Sequence, residues 1–245
     1  MIKTLALSLR NWKEVTRDKI NTMFGLGFPL VLILLLSFIQ RNIPEEMFAL
    51  NQLTPGIIIF GFTFLSLFSG MLIAKDRTSS LFMRLFTSPL KASHFVLSYY
   101  IPFLPIAILQ AAFTYVVAIL LGLTPSWNML MCILVSLPAA IMFISLGLLC
   151  GSIFNDKQVG GICGAFLTNF SAWLSDTWFD IDLVGGAFAG IAKALPFYHA
   201  VEAGRYALAG DYSNIFPDLW WVIAYTIAIT AIAIWVFGKK MNYDK

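Results

Sequence analysis

Six stretches of this 245-residue chain contain no Asp, Glu, Lys, Arg or His: 23–39, 55–74, 95–121, 129–154, 159–174 and 219–237. A helix rises about 1.5 Å per residue, so about 20 such residues cross the roughly 30 Å hydrocarbon core of a bilayer. The second and sixth runs fit that length directly. The first and fifth must borrow flanking residues. The third and fourth are long and hold Pro102, Pro105 and Pro138, which predicts tilt or kinks. Residues of the AVILMFWYC set make up 59% of the chain and charged residues 12%, about half the charge of an average soluble domain. A globular fold of this size lacks the interior to hide so much apolar surface. That excludes a soluble enzyme, a disordered chain and a nucleic-acid-binding module. The reading is an all-α polytopic membrane protein with six transmembrane helices, forming one domain over 1–245.

Six spans put both termini on one side. That side collects 13 of the 16 Lys and Arg, including Arg10, Arg17, Lys75, Arg77, Arg84 and Lys240, against five acidic residues. The other side holds Arg41, Lys193 and Arg205 against eight acidic residues. The positive-inside rule therefore places both termini in the cytoplasm and the protein in the cytoplasmic (inner) membrane. The first apolar run follows some twenty charged, amphipathic residues and precedes no small-residue cleavage site, so it reads as a span and not as a cleaved signal. Residues 182–210 are apolar, but Lys193 and Pro196 divide them into halves too short to cross. Counting them as a seventh span would throw Lys239, Lys240 and Lys245 outside. The outer segment 182–216 is therefore read as a re-entrant pair of half-helices, a shape tolerated where protein or a wet cavity surrounds it.

The spans lack the ionisable groups through which proton-driven carriers couple, and the chain lacks a GxxxxGK[ST] phosphate loop. Energy for any transport must then come from outside the bilayer. No cofactor or metal is expected on this chain, with ATP and Mg on a partner. Cys132, Cys150 and Cys163 sit in apolar runs without metal spacing and read as small buried hydrophobes. Asp176, Asp180 and Asp182 read as a hydrated acidic rim. The GxxxG pairs Gly147/Gly151, Gly160/Gly164 and Gly186/Gly190 read as close helix packing within the subunit.

Two segments stand out on the basic side. In 1–22, Ile2, Leu5, Leu9, Trp12, Thr16 and Ile20 form one stripe flanked by Lys3, Arg10, Lys13 and Arg17, the pattern of a helix lying in the membrane interface. The loop 75–94 reads KDRTSSLFMRLFTSPLKASH. Thr78 or Ser79 can cap a short helix, Leu81, Phe82, Leu85 and Phe86 give it an apolar edge, and Pro89 ends it. Such a helix is too short to be stable alone in water and must pack against something. On the outer side His199, Glu202 and Arg205 recur at i, i+3, i+6 and share a helix face.

The loop resembles the signature segment of type-2 ATP-binding-cassette (ABC) exporter permeases of the multidrug and antibiotic-exporter kind. Asp76-Arg77 match that family's acidic-Arg pair, Arg84-Leu85 its middle and Pro89 its end, while Ser80 and Leu81 stand where the family has Gly-Thr. The order of elements matches as well: interfacial helix, six spans, this loop after the second span, and an outer segment with Leu195-Pro196 before the sixth. The resemblance implies a permease that pairs with a second permease subunit, as homo- or heterodimer, and docks on a separate cytoplasmic ABC ATPase. The helix in 75–94 would then be the coupling helix, with Asp76, Arg77 and Arg84 as polar contacts, Phe82, Leu85 and Phe86 as packing, and Pro89 closing it. Pro196, His199, Glu202 and Arg205 would line an outer gate. The chain itself would not be an enzyme. Its cargo would be a hydrophobic or amphipathic small molecule. The alternatives are a gradient-driven secondary carrier, or a permease for a polysaccharide, lipid or peptide.

Overall fold

The computed structural model describes residues 2–43, 48–78 and 92–243. Every regular element among them is helical. In chain order they are α1 (Ile2–Arg17), α2 (Lys19–Gln40), α3 (Leu50–Thr78), α4 (Ala92–Leu121), α5 (Asn128–Ile153), α6 (Asp156–Val159), a π-helix (Gly160–Leu167), α7 (Thr168–Trp173), α8 (Ile181–Val184), α9 (Gly186–Ala194), α10 (Pro196–Ala209) and α11 (Tyr212–Tyr243). Among the described residues, α2 to α5 and α11 are long and apolar enough to cross a membrane.

The helix α1, expected to lie in the membrane interface over 1–22, is shorter than that. It stops at Arg17 because Asp18 opens a second helix: its carboxylate accepts the Asn21 backbone N–H at 3.2 Å and the Asn21 side-chain amide at 2.7 Å. The first span thereby gains Lys19–Thr22, the turn its apolar run lacked. In α1 the outward residues Leu5, Leu9 and Trp12 are exposed, while Leu7, Ser8 and Asn11 are buried against the bundle. The predicted stripe, at Leu5, Leu9, Trp12 and Thr16, thus faces the surroundings, and a second face docks on protein. The short helix expected inside 75–94 falls largely outside the described residues, as do Phe82, Arg84, Leu85, Phe86 and Pro89.

The fifth run is the least regular. A capping box made by Asn155 and Gln158 starts α6. The helix then widens into a π segment at Gly160 and returns to α at Thr168, whose hydroxyl donates to the carbonyl of Cys163, five residues back, at 2.9 Å. The combined run 156–173 is continuous. Pro102 and Pro105 lie inside the continuous helix α4, and Pro138 inside α5.

The helix α3 is the axis of the bundle, with 72% of its apolar window buried against 17% for α11. The seam between α3 and α5 is the closest in the fold. A Cβ at Gly147 would overlap the Ser66 carbonyl, and one at Gly151 the Gly70 carbonyl. Ser69 donates across the same seam to the Ile144 carbonyl at 3.2 Å. Small residues let two backbones approach where lipid supplies no hydrophobic drive for association. In place of ionisable groups the spans share hydroxyls: Tyr100 lies 2.7 Å from Ser145, which lies 2.9 Å from Thr230, tying α4, α5 and α11 together.

Candidate functional site

Polar side chains gather at the two ends of the bundle. At the basic end, Asp76 sits two residues before α3 ends. It is 2% exposed, a burial that a carboxylate tolerates only when paired. Arg10 of α1 reaches it with Nη1 at 2.6 Å, and the fully buried Tyr99 of α4 donates its hydroxyl at 2.7 Å. Partial burial works against the charge on Arg10, and the Asp76 carboxylate more than offsets it, holding the guanidinium above its ordinary pKa. Asn11 adds a longer bond, 3.4 Å, to the Ser98 carbonyl. The next residue, Arg77, donates to the carbonyls of Gly151 at 2.9 Å and Phe154 at 3.3 Å, where α5 leaves four acceptors without helical partners. Lys240 adds a bond to the Ile153 carbonyl at 3.3 Å.

Asp76 and Arg77, singled out in the sequence as coupling contacts, thus reach in opposite directions into the bundle. One binds α1 and α4, the other the end of α5. Together they fasten the root from which 79–91 leaves. Reading Arg10 as a flanking cation at phosphate height is corrected here, because it is drawn inward to the carboxylate 66 residues away. Arg10 and Tyr99 were not among the sequence candidates. The available signal was that Arg10 lies beside Asn11, off the apolar stripe, in a chain with few charges to spare.

At the acidic end the predicted outer residues come together, along with partners the sequence did not suggest. Pro196 occupies the first turn of α10, where its missing N–H costs nothing. Arg205 is the hub. Its Nη1 lies 2.5 Å from Asp176 and 2.6 Å from Glu202, Nη2 lies 2.6 Å from the Asp176 carbonyl, and Nε lies 3.2 Å from the Gln52 carbonyl. Asp176 has φ +60° and also accepts the Ile181 N–H at 2.8 Å. The guanidinium fork therefore holds a strained loop residue to α10 and to the start of α3. His199 lies 2.5 Å from Asp218 of α11 and 2.8 Å from the Lys193 carbonyl of α9. Of the three aspartates read as a hydrated rim, Asp180 and Asp182 are exposed and Asp176 is partly buried: Asp176 binds Arg205, Asp180 caps α8, and Asp182 pairs with Lys193 at 2.6 Å and raises its ammonium above the usual lysine pKa.

An Arg205→Lys variant is expected to lower the thermal midpoint of the detergent-solubilised protein by about 5 °C. A single ammonium cannot serve acceptors on three elements, and leaving one or two buried acceptors unpaired costs about 2 kcal/mol.

No group of three or more His, Cys, Asp or Glu able to hold a metal occurs among the described residues, and the arrangement at either end is one of fastening rather than catalysis. Comparison with known proteins bears on what such a bundle is. No curated protein matches the chain. The family model described as ABC-2 type transporter matches residues 3–209, from α1 to the close of α10. On that match the chain belongs to the ABC-2 type transporter family, as a membrane permease component of an ABC transporter.

Proposed function

We propose that the chain is the permease subunit of an ATP-driven exporter, pairing with a second permease and driven by a separate cytoplasmic ATPase through residues 79–91. The observation that carries this reading is the fixing of Asp76 and Arg77. A segment meant to pass a push into a bundle needs a root that does not yield, and α3, which ends at that root, is the most buried of the five candidate spans among the described residues. Phe82, Leu85 and Phe86 supply the packing to the ATPase and Arg84 its polar contact, with Pro89 ending the helix. Asp76 and Arg77 act from inside the permease, by holding the base of the lever. ATP-driven closure of the ATPase pair then moves the bundle as a rigid body, the kind of switch that small packed elements transmit.

In this reading the run 156–173 is the sixth span, the basic end is cytoplasmic, and α9 and α10 form a re-entrant hairpin from the outer face. Pro196, His199, Glu202 and Arg205 are the fastened wall of an outer gate. The cargo is a hydrophobic or amphipathic small molecule, in keeping with spans that carry no formal charge. The chain would hold no nucleotide, and ATP and Mg would reside on the partner.

The test is co-purification of the permease with its ATPase. Arg84→Glu and Phe82→Asp are each expected to lower the recovered ATPase at least tenfold while leaving the permease monodisperse. Transport by the permease alone in liposomes, with ATPase absent, would refute the reading.

A further inference from the structure

His199 presents a count of protons that neutral imidazole cannot meet. The ring is 8% exposed. Its Nδ1 faces the Asp218 carboxylate at 2.5 Å and its Nε2 faces the Lys193 carbonyl oxygen at 2.8 Å. With Asp218 ionised both partners are acceptors, so both bonds then exist together only when both ring nitrogens carry hydrogen, that is, in the imidazolium. A neutral ring keeps one proton. The carboxylate is the stronger acceptor and retains it on Nδ1, which leaves the Nε2 lone pair pointed at the lone pairs of the Lys193 carbonyl.

The surroundings offer no other route to relief. Trp221 stacks on the ring with centroids 5.4 Å apart and planes 14° from parallel, and Tyr198 meets it edge-on. The nearby ionisable groups are engaged elsewhere: Arg205 with Asp176 and Glu202, and Lys193 with Asp182. Tyr225 donates to the Ala194 carbonyl at 2.9 Å. Leu195, extended at φ −96° and ψ 151°, is the non-helical residue joining α9 to α10, which Pro196 opens.

We propose that His199 is a proton-operated latch: its imidazolium fastens the end of α9 to α10 and α11, and loss of the Nε2 proton to water breaks the bond to the Lys193 carbonyl and loosens that end about Leu195, leaving the Tyr225–Ala194 bond to hold it while the His199–Asp218 bond persists. Histidine is the side chain whose charge changes between pH 5 and 8, so the compartment facing this corner would set how tightly the hairpin is closed. The latch follows from local geometry. It rests on the function proposed above only in naming the outside as that compartment.

The chain has two histidines, His94 and His199, so His94→Gln in lipid nanodiscs leaves one imidazole to observe by nitrogen-15 NMR. Expected are two protonated ring nitrogens at pH 5.5, and at pH 8.5 a neutral ring with hydrogen on Nδ1. Amide exchange in α9, corrected for the intrinsic pH dependence, should rise about tenfold over the same range, with α10 much less affected. His199→Gln should abolish the pH dependence of α9. A ring that keeps one protonation state throughout, a neutral form with hydrogen on Nε2, or an α9 response that survives His199→Gln would each overturn the latch. In sealed proteoliposomes, pH changed only on the side of α1 should leave α9 unmoved. A response from that side would refute the proposed orientation and leave the latch standing.

Discussion

Gly147→Ala and Gly151→Ala are expected to abolish recovery of monodisperse protein, although each adds a single methyl group. At Gly147 the new Cβ would overlap the Ser66 carbonyl and crowd Ser69, and at Gly151 it would overlap the Gly70 carbonyl and the Ile73 side chain. The obstruction in each case includes backbone of α3, the most buried of the candidate spans among the described residues, so relief requires two helices to separate along their seam. Overpacking a tight core costs about 1–3 kcal/mol where side chains can give way. Here they cannot, and the cost is expected at or above that range. Gly190→Ala is the control. Gly190 belongs to another GxxxG pair, but a Cβ there meets nothing within 4 Å, so this variant should be recovered like the parent, with a gain of up to about 1 kcal/mol from lost glycine freedom. Size-exclusion profiles of the three variants, expressed in parallel, check the contrast.

That contrast also marks what could be read from the chain. The five helices long and apolar enough to cross a membrane, among the described residues, followed from solvent: in hydrocarbon, charge is excluded and backbone must close on itself, so uncharged runs declare themselves. Long-range pairing does not declare itself in this way. Gly147/Gly151 and Gly186/Gly190 are the same pattern, and only the helix opposite distinguishes a packed seam from an open face. Arg10 shows the same limit. On its own helix it looks like one of four cations beside a greasy stripe, and only the return of α3 to the same end gives it Asp76. The π segment at Gly160–Leu167 was hidden because the run 159–174 is apolar whichever way its bonds are spaced. His199, Glu202 and Arg205 were correctly placed on one face of α10. Their partners come from α11, from α9 and from the loop holding Asp176, which lie 19, 6 and 29 residues from the residues they bind. A sequence pattern reports neighbours three or four apart, so the cluster was legible and the fastening was not.

The second large effect belongs to Asp76. Asp76→Leu removes the acceptor of a buried tyrosine and the counter-charge of Arg10 in one step. Breaking a buried ion pair from one side typically costs about 3–5 kcal/mol because the remaining partner stays desolvated. Arg10 keeps a third of its side-chain surface and can turn outward, so part of that cost is recoverable and about 3 kcal/mol is expected, a fall of about 10 °C in the thermal midpoint of a protein of this size. Tyr99 has no such escape: it is fully buried, and its hydroxyl must stay unpaired where a net cost of about 1–2 kcal/mol attaches to each orphaned donor. Adding Tyr99→Phe to Asp76→Leu should therefore restore about a third of the lost stability, whereas Tyr99→Phe alone should destabilise slightly. The sign of the Tyr99 substitution reverses with its background, which a loop merely resting on lipid would not produce. If the two substitutions simply add, Asp76 is not the acceptor that binds α1 and α4 to the root of residues 79–91, and the lever proposed for this permease has no fixed base.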